Sequence, residues 1–193
     1  AAAPATRPGI ADGSAGCLAA MTAVHQELGL EAAARLTDEC AAHLIEDPPD
    51  LPAGFAHGRD GVGWALTRSH PHADAGRAML TSPPTPDPRS AGWCTGLAGI
   101  AAARASVTDD AEALVRRLTE EPLRADLSLC HGELGVAEAL TVLHRAGHDT
   151  GTALRKRAGL AIGAIDRHGT PCGTPGGVPT PGLLAGLAGI GYG

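Results

Sequence analysis

Aromatic side chains are nearly missing from this sequence: of 193 residues, two are Trp, one is Tyr and one is Phe. A core must therefore be built from Ala, Leu, Val and Ile, whose small side chains let helices approach closely. Clustered Lys and Arg are missing too, and the formal net charge is −6. Nucleic-acid binding depends on counterion release by clustered cations, so no nucleic-acid partner is expected. No apolar run approaches the about 20 residues that span a bilayer, so no membrane helix is expected. Residues 1–9 lack the charged and apolar regions of a secretion signal, and a soluble cytoplasmic protein is the expectation. The chain opens without Met and has almost nothing after its last glycine unit. It reads as a fragment, residues 1–193 supplying the later part of one domain.

What the chain does have is glycine and proline, 27 and 15 residues, clustered between apolar segments as punctuation. The glycines carry a repeat. Trp93-Cys94-Thr95-Gly96-Leu97-Ala98-Gly99 and Leu129-Cys130-His131-Gly132-Glu133-Leu134-Gly135 both place a cysteine two residues before a Gly-x-x-Gly unit. The same unit recurs at Gly13/Gly16, Gly58/Gly61 and Gly186/Gly189, with first glycines 45, 38, 36 and 54 residues apart. That spacing suits repeated helical pairs, each able to bury its stripe only against neighbours. After Gly13 a helix is expected with Cys17, Leu18, Met21, Val24 and Leu28 on one face, stopping at Gly29. Its partner, near 31–44, has Ala33, Leu36, Cys40 and Leu44 as its stripe. Cys17 and Cys40 are therefore expected in the core. Further outer helices are expected near 73–80, 109–119 and 152–166, with turn-rich loops at 82–90 and 167–181. Asp109 or Asp110 is a candidate N-cap. No segment alternates with period two, so the fold class is all-α.

Equivalent positions in an array of helical hairpins come to one end of the stack. The residue before the first glycine is Asp12, His57, Thr95, His131 and Ala185 in turn, and the one before that is Ala11, Ala56, Cys94, Cys130 and Leu184. Five cysteines in a chain of this length favour metal binding or reactivity over a disulfide framework. Cys94, Cys130 and His131 form the ligand class of catalytic zinc, three protein donors with a fourth position open. Soft thiolates favour Zn²⁺ over Mg²⁺ or Ca²⁺, and a metal lowers the pKa of a thiol that joins it. His57 is a candidate general acid/base, because imidazole titrates near neutrality; the alternative is a satisfied core histidine. Asp12 is either a second acid/base or a helix N-cap. Cys172, out of register in a Gly/Pro loop, reads as a free thiol. The other seven histidines read as surface residues.

Gly54-Phe-Ala-His-Gly58, Trp93-Cys-Thr-Gly96, Leu129-Cys-His-Gly132 and Pro181-Gly-Leu-Leu-Ala-Gly-Leu-Ala-Gly-Ile-Gly-Tyr192 resemble the lanthionine synthetase C-like family. Cys130-His-Gly-Glu-Leu-Gly135 and the run from Cys172 to Gly182 are most similar to the cyclase domain of bifunctional class II, LanM-type synthetases. The resemblance implies an (α/α) toroid of nested inner and outer helices, of which this chain is an incomplete arc. It implies a zinc site at Cys94, Cys130 and His131, and an acid/base at His57. The implied reaction adds a peptide cysteine thiol to dehydroalanine or dehydrobutyrine, forming (methyl)lanthionine thioether rings. The implied partners are a dehydrated precursor peptide with its leader and a dehydratase domain in the same full-length protein. Family members usually carry Asp where Gly9 stands and Arg where Ser90 stands; Asp12 and Arg89 are the nearest stand-ins, Arg89 as a substrate-binding residue. Alternatives are a related enzyme that adds glutathione to dehydrated residues, or a zinc-stabilised module that holds a peptide without catalysis.

Overall fold

Five turns of this chain close on the same hydrogen bond. The N–H of Ser14, Arg59, Leu97, Glu133 and Leu187 each donates to the carbonyl seven residues earlier, on Arg7, Pro52, Ser90, Asp126 and Thr180, at 2.8–2.9 Å. Each donor is the first residue of an α-helix, so a donor left without an intrahelical partner is satisfied by the preceding turn. None of the five helices has a side-chain cap, and each N-cap is a glycine with extended backbone. A Cβ on that glycine would strike backbone: 1.9 Å from Arg7 O at Gly13, 2.1 Å from Ser90 O at Gly96, 2.3 Å from Thr180 O at Gly186. The repeated glycine of the sequence is thus the price of a tight, self-capping turn.

The computed structural model describes residues 7–46, 50–82 and 90–193. Among these, nine α-helices and no strand are present. The all-α expectation is correct. The chain divides into two compact units, Ala1–Asp87 and Pro88–Gly193.

The first unit holds α1 (Ser14–Leu28), α2 (Glu31–Glu46), α3 (Arg59–Arg68) and α4 (Ala73–Thr81). α1 packs on α2 and α3, and α3 on α4. Its core gathers Ala15, Leu18, Ala41, Leu44, Val62, Ala65 and Leu66. Helix α1 stops at Gly29 as expected, in a left-handed conformation (φ 66°) whose N–H returns to His25 O. The inward faces differ from those expected. Helix α1 buries Ser14, Ala15, Leu18 and Thr22, whereas Cys17 and Leu28 are exposed. Helix α2 buries Ala33, Thr37, Ala41 and Leu44, leaving Leu36 exposed and Cys40 half-buried. Cys17 is not a core residue, whereas Cys40 packs half-buried against the core of this unit. They stand within hydrogen-bonding reach of each other, and burial with this neighbour pushes the Cys40 thiol up to about 11. Helices α3 and α4 meet backbone to backbone: a Cβ on Gly76 would lie 2.5 Å from Gly63 O.

The second unit holds α5 (Leu97–Arg104), α6 (Ala111–Glu120), α7 (Glu133–Arg145), α8 (Gly151–His168) and α9 (Leu187–Tyr192). Helix α5 is buried along its length except at Ala102, and it packs on α7 and α6. Asp110 is the N-cap of α6 but makes no side-chain cap bond. Behind α7 sits an ion pair with no exposure at either side chain. Arg157 Nη1 lies 3.1 Å from Glu133 Oε1, and the same guanidinium donates to the carbonyls of Leu118 and Glu121. Burial pushes the Glu133 carboxyl above its ordinary value, and its contacts with Arg124 and Arg157 offset only part of that. The loop expected at 167–181 starts two residues later, because α8 runs through His168; residues 169–181 hold no α-helix and contain one 3₁₀ turn, Pro175–Gly177. Among the described residues no helix is long and apolar enough to cross a membrane.

Candidate metal centre and acid–base pair

Neighbouring turns are stitched at one register position. Ala11 N–H donates to Ala56 O, Cys94 N–H to Cys130 O, and Cys130 N–H to Leu184 O, at 2.9–3.0 Å. Residues equivalent in sequence are therefore direct neighbours in space, within each unit. This ladder explains both clusters that the register brings together.

In the second unit it sets Cys94 beside Cys130, with Cα atoms 5.5 Å apart and the two sulfurs joined as a disulfide. His131 follows directly. Its Nε2 lies 3.0 Å from Gly173 O and 3.8 Å from Asp126 Oδ2. Its backbone N–H faces Ser128 Oγ at 3.4 Å, and its carbonyl accepts from Arg124 Nε at 3.0 Å. A carbonyl can only accept, so Nε2 carries the ring proton and Nδ1 keeps its lone pair. Glu133 ties this turn to the buried ion pair, because Glu133 Oε2 also accepts from Arg124 N–H.

As placed, no group of three or more His, Cys, Asp or Glu among the described residues forms a metal cage. The chemistry of the donor set accounts for this. A cross-linked pair has no thiolate to offer, whereas zinc requires two reduced sulfurs about 3.8 Å apart for tetrahedral geometry at Zn–S near 2.3 Å. Reduced, Cys94 and Cys130 supply two thiolates at one point of the ladder, and His131 supplies an imidazole nitrogen whose partner nitrogen is already held. The set fits zinc in its dithiol form.

In the first unit the same register sets Asp12 against His57. His57 Nδ1 lies 3.4 Å from Asp12 Oδ1, and Arg7 Nη1 lies 2.6 Å from Asp12 Oδ2. The hydrogen bond and charge of Arg7 hold the Asp12 carboxyl below its usual range, with a smaller contribution from His57. Asp12 is no N-cap: the cap of α1 is Gly13. A Cβ on Gly9 would lie 2.8 Å from Ala56 O, 3.2 Å from Asp12 Oδ1 and 3.4 Å from His57 Cα, so a side chain at position 9 would need the backbone to shift, and Asp12 is the carboxylate that meets His57 here. Arg7, Pro8, Gly9, Asp12, Leu51 and His57 line a hollow of about 150 Å³. The His57 side chain is 53% exposed, so it is open to solvent and is not a core histidine.

Arg89 lies outside the described residues. Thr95, the in-register residue between the two clusters in sequence, is exposed. Cys172 is a buried free thiol, and His148 is half-buried with Nε2 2.8 Å from Ala105 O, so it is not a simple surface residue. Sequence reasoning missed three residues at these clusters. Arg7 and Gly173 are single residues outside the repeat, and Arg157 sits in a charged triplet that reads as solvated surface.

The described residues form repeated helical hairpins, with Cys94, Cys130-His131 and His57 at matched turn positions. The family model of lanthionine synthetase C-like proteins matches residues 76–193, more than half of the chain. The chain belongs to that family, which includes C–S bond-forming cyclases. No curated protein matches it.

Proposed function

We propose that this chain carries the zinc site of a lanthipeptide cyclase of the class II type, which closes thioether rings in a dehydrated precursor peptide. The observation that carries the reading is the turn ladder that gathers Cys94, Cys130 and His131 in a chain of this family. When bound there, zinc supplies acidification of an incoming cysteine thiol at neutral pH. Cys94 Sγ, Cys130 Sγ and His131 Nδ1 would hold it. The peptide thiol gives its proton to solvent, its sulfur adds to the β-carbon of a dehydrated residue, the double-bond electron pair moves onto the carbonyl as an enolate, and the α-carbon then takes a proton back, so that S–H is added across the double bond. Within the first unit by itself, His57 would serve as a general acid: ionised Asp12 accepts a hydrogen bond from Nδ1–H of the imidazolium, which leaves Nε2–H to be delivered. Arg7 keeps Asp12 ionised and so keeps this orientation.

The reading is tested by zinc content of the reduced full chain, wild type against Cys94→Ala. One equivalent in the wild type and a loss of nearly all of it in the variant is the expected result. A well-folded, fully reduced wild type that retains no zinc would sink the proposal.

A further inference from the structure

The loop that follows α8 comes back to His131. Gly173, 42 residues further along the chain, presents its carbonyl to His131 Nε2 at 3.0 Å. That carbonyl is itself fixed. Gly173 N–H donates to Ala185 O at 2.8 Å, and two residues earlier Pro171 O accepts from Leu127 N–H at 2.9 Å. The loop is thereby pinned to the turn before α7 on one side and to the turn before α9 on the other. Gly173 has no room for a side chain. A Cβ there would lie 2.7 Å from His131 Nε2 and 2.5 Å from Ser128 Oγ. From the third turn, Gly92 closes in on the same histidine: its Cβ would lie 3.1 Å from His131 Cα and 3.3 Å from its Cβ. His131 is therefore held between two glycines, one of which also accepts a hydrogen bond from its ring N–H.

We infer that Gly173 is a positioning residue for the metal site, which fixes the His131 ring as its Nε2–H tautomer and leaves Nδ1 as the nitrogen that would hold the metal. Metal-bound histidines are generally oriented by what their second nitrogen donates to, and loss of that partner costs 10–100-fold in affinity. Here the partner is a backbone oxygen, which carries no charge and is placed by hydrogen bonds on either side of it. Asp126 Oδ2, at 3.8 Å, adds a negative field behind the ring without a hydrogen bond of its own. The inference rests on the zinc reading for its functional meaning, but the tautomer is a property of the metal-free reduced chain as well.

The test uses Gly173→Ala, with Gly177→Ala as a control. Gly177 has φ 69° and nothing within 4 Å of a Cβ, so alanine there strains the same loop without touching the ring. In the reduced, metal-free full chain, nitrogen NMR of His131 should show the Nε2–H tautomer in wild type and in Gly177→Ala. In Gly173→Ala the ring should lose that single tautomer. Chelator competition should show zinc affinity about 10–100-fold weaker in Gly173→Ala, at unchanged helical circular dichroism. An unchanged tautomer in Gly173→Ala overturns the inference, and so does an equal loss of affinity in Gly177→Ala. A wild type that binds no zinc overturns the metal reading alone, because the tautomer comparison still decides the role of Gly173.

Discussion

The Arg7–Asp12–His57 chain joins three residues by charge and hydrogen bonding at an exposed surface. Asp12 receives Arg7 on one oxygen and His57 on the other, and the Arg7 contact is the stronger cause of its lowered pKa. A carboxyl depressed in the folded state contributes stability that is fully present above its unfolded value, near 3.9, and is lost as pH falls through the folded value. Arg7→Ala should therefore raise the Asp12 midpoint toward about 3.9 in a carbon-detected NMR titration. A smaller rise is expected in His57→Ala, and an Asp12 midpoint indifferent to Arg7 would contradict the arrangement. The pairing of Asp12 with His57 was legible in the sequence, because both precede the first glycine of their units. Arg7 was not legible, since one arginine in a Pro/Gly-rich lead-in has no period to give it away. Gly173 was hidden for a related reason: its partner is 42 residues away and its contribution is a carbonyl, which every residue has.

At the level of elements, spacing of the Gly-x-x-Gly units located the helices, but small side chains blurred the faces. In α1 and α2 the buried positions include Ala15, Thr22, Ala33, Thr37 and Ala41, whereas Leu28 and Leu36 point to solvent. A stripe read from the largest apolar residues is therefore rotated from the true one when alanine does much of the packing. The buried pair beneath α7 was equally illegible, because Arg157 lies in Arg-Lys-Arg and Glu133 reads as an exposed first-turn acid. In the structure Arg157 satisfies Leu118 O, Glu121 O and Glu133 together, locking α6 and α8 to the start of α7. Removing one partner of such a pair leaves a buried charge and costs about 3–5 kcal/mol. Arg157→Met should lower the unfolding free energy measured by urea denaturation by that amount. Glu133→Gln should cost less, because its amide oxygen still accepts from Arg157. Equal and small shifts in both would show that the pair is solvated in solution.

Across the whole chain, the one feature fully legible from sequence is the repeat, and it sets the expected positions of both clusters. Its physical basis is local: each turn closes on itself through the bond seven residues back, so the same seven-residue geometry forms wherever the pattern occurs. What separates the two compact units is their cores. Leu18, Leu44, Val62 and Leu66 belong to one cluster, and Leu97, Leu118, Val136, Leu140 and Leu143 to another. Proteins open in contiguous cooperative pieces, with each piece as stable as its own buried contacts. Leu66 is fully buried in the first cluster, and a buried Leu→Ala change costs about 2–5 kcal/mol. Leu66→Ala should therefore speed amide exchange throughout α1–α4 while leaving α5–α8 protected. Zinc content of the reduced chain should stay at the wild-type level, since Cys94, Cys130 and His131 all lie in the second unit. Loss of protection in α5 and α7 together with α1–α4 would instead mean that the chain unfolds as one cooperative body.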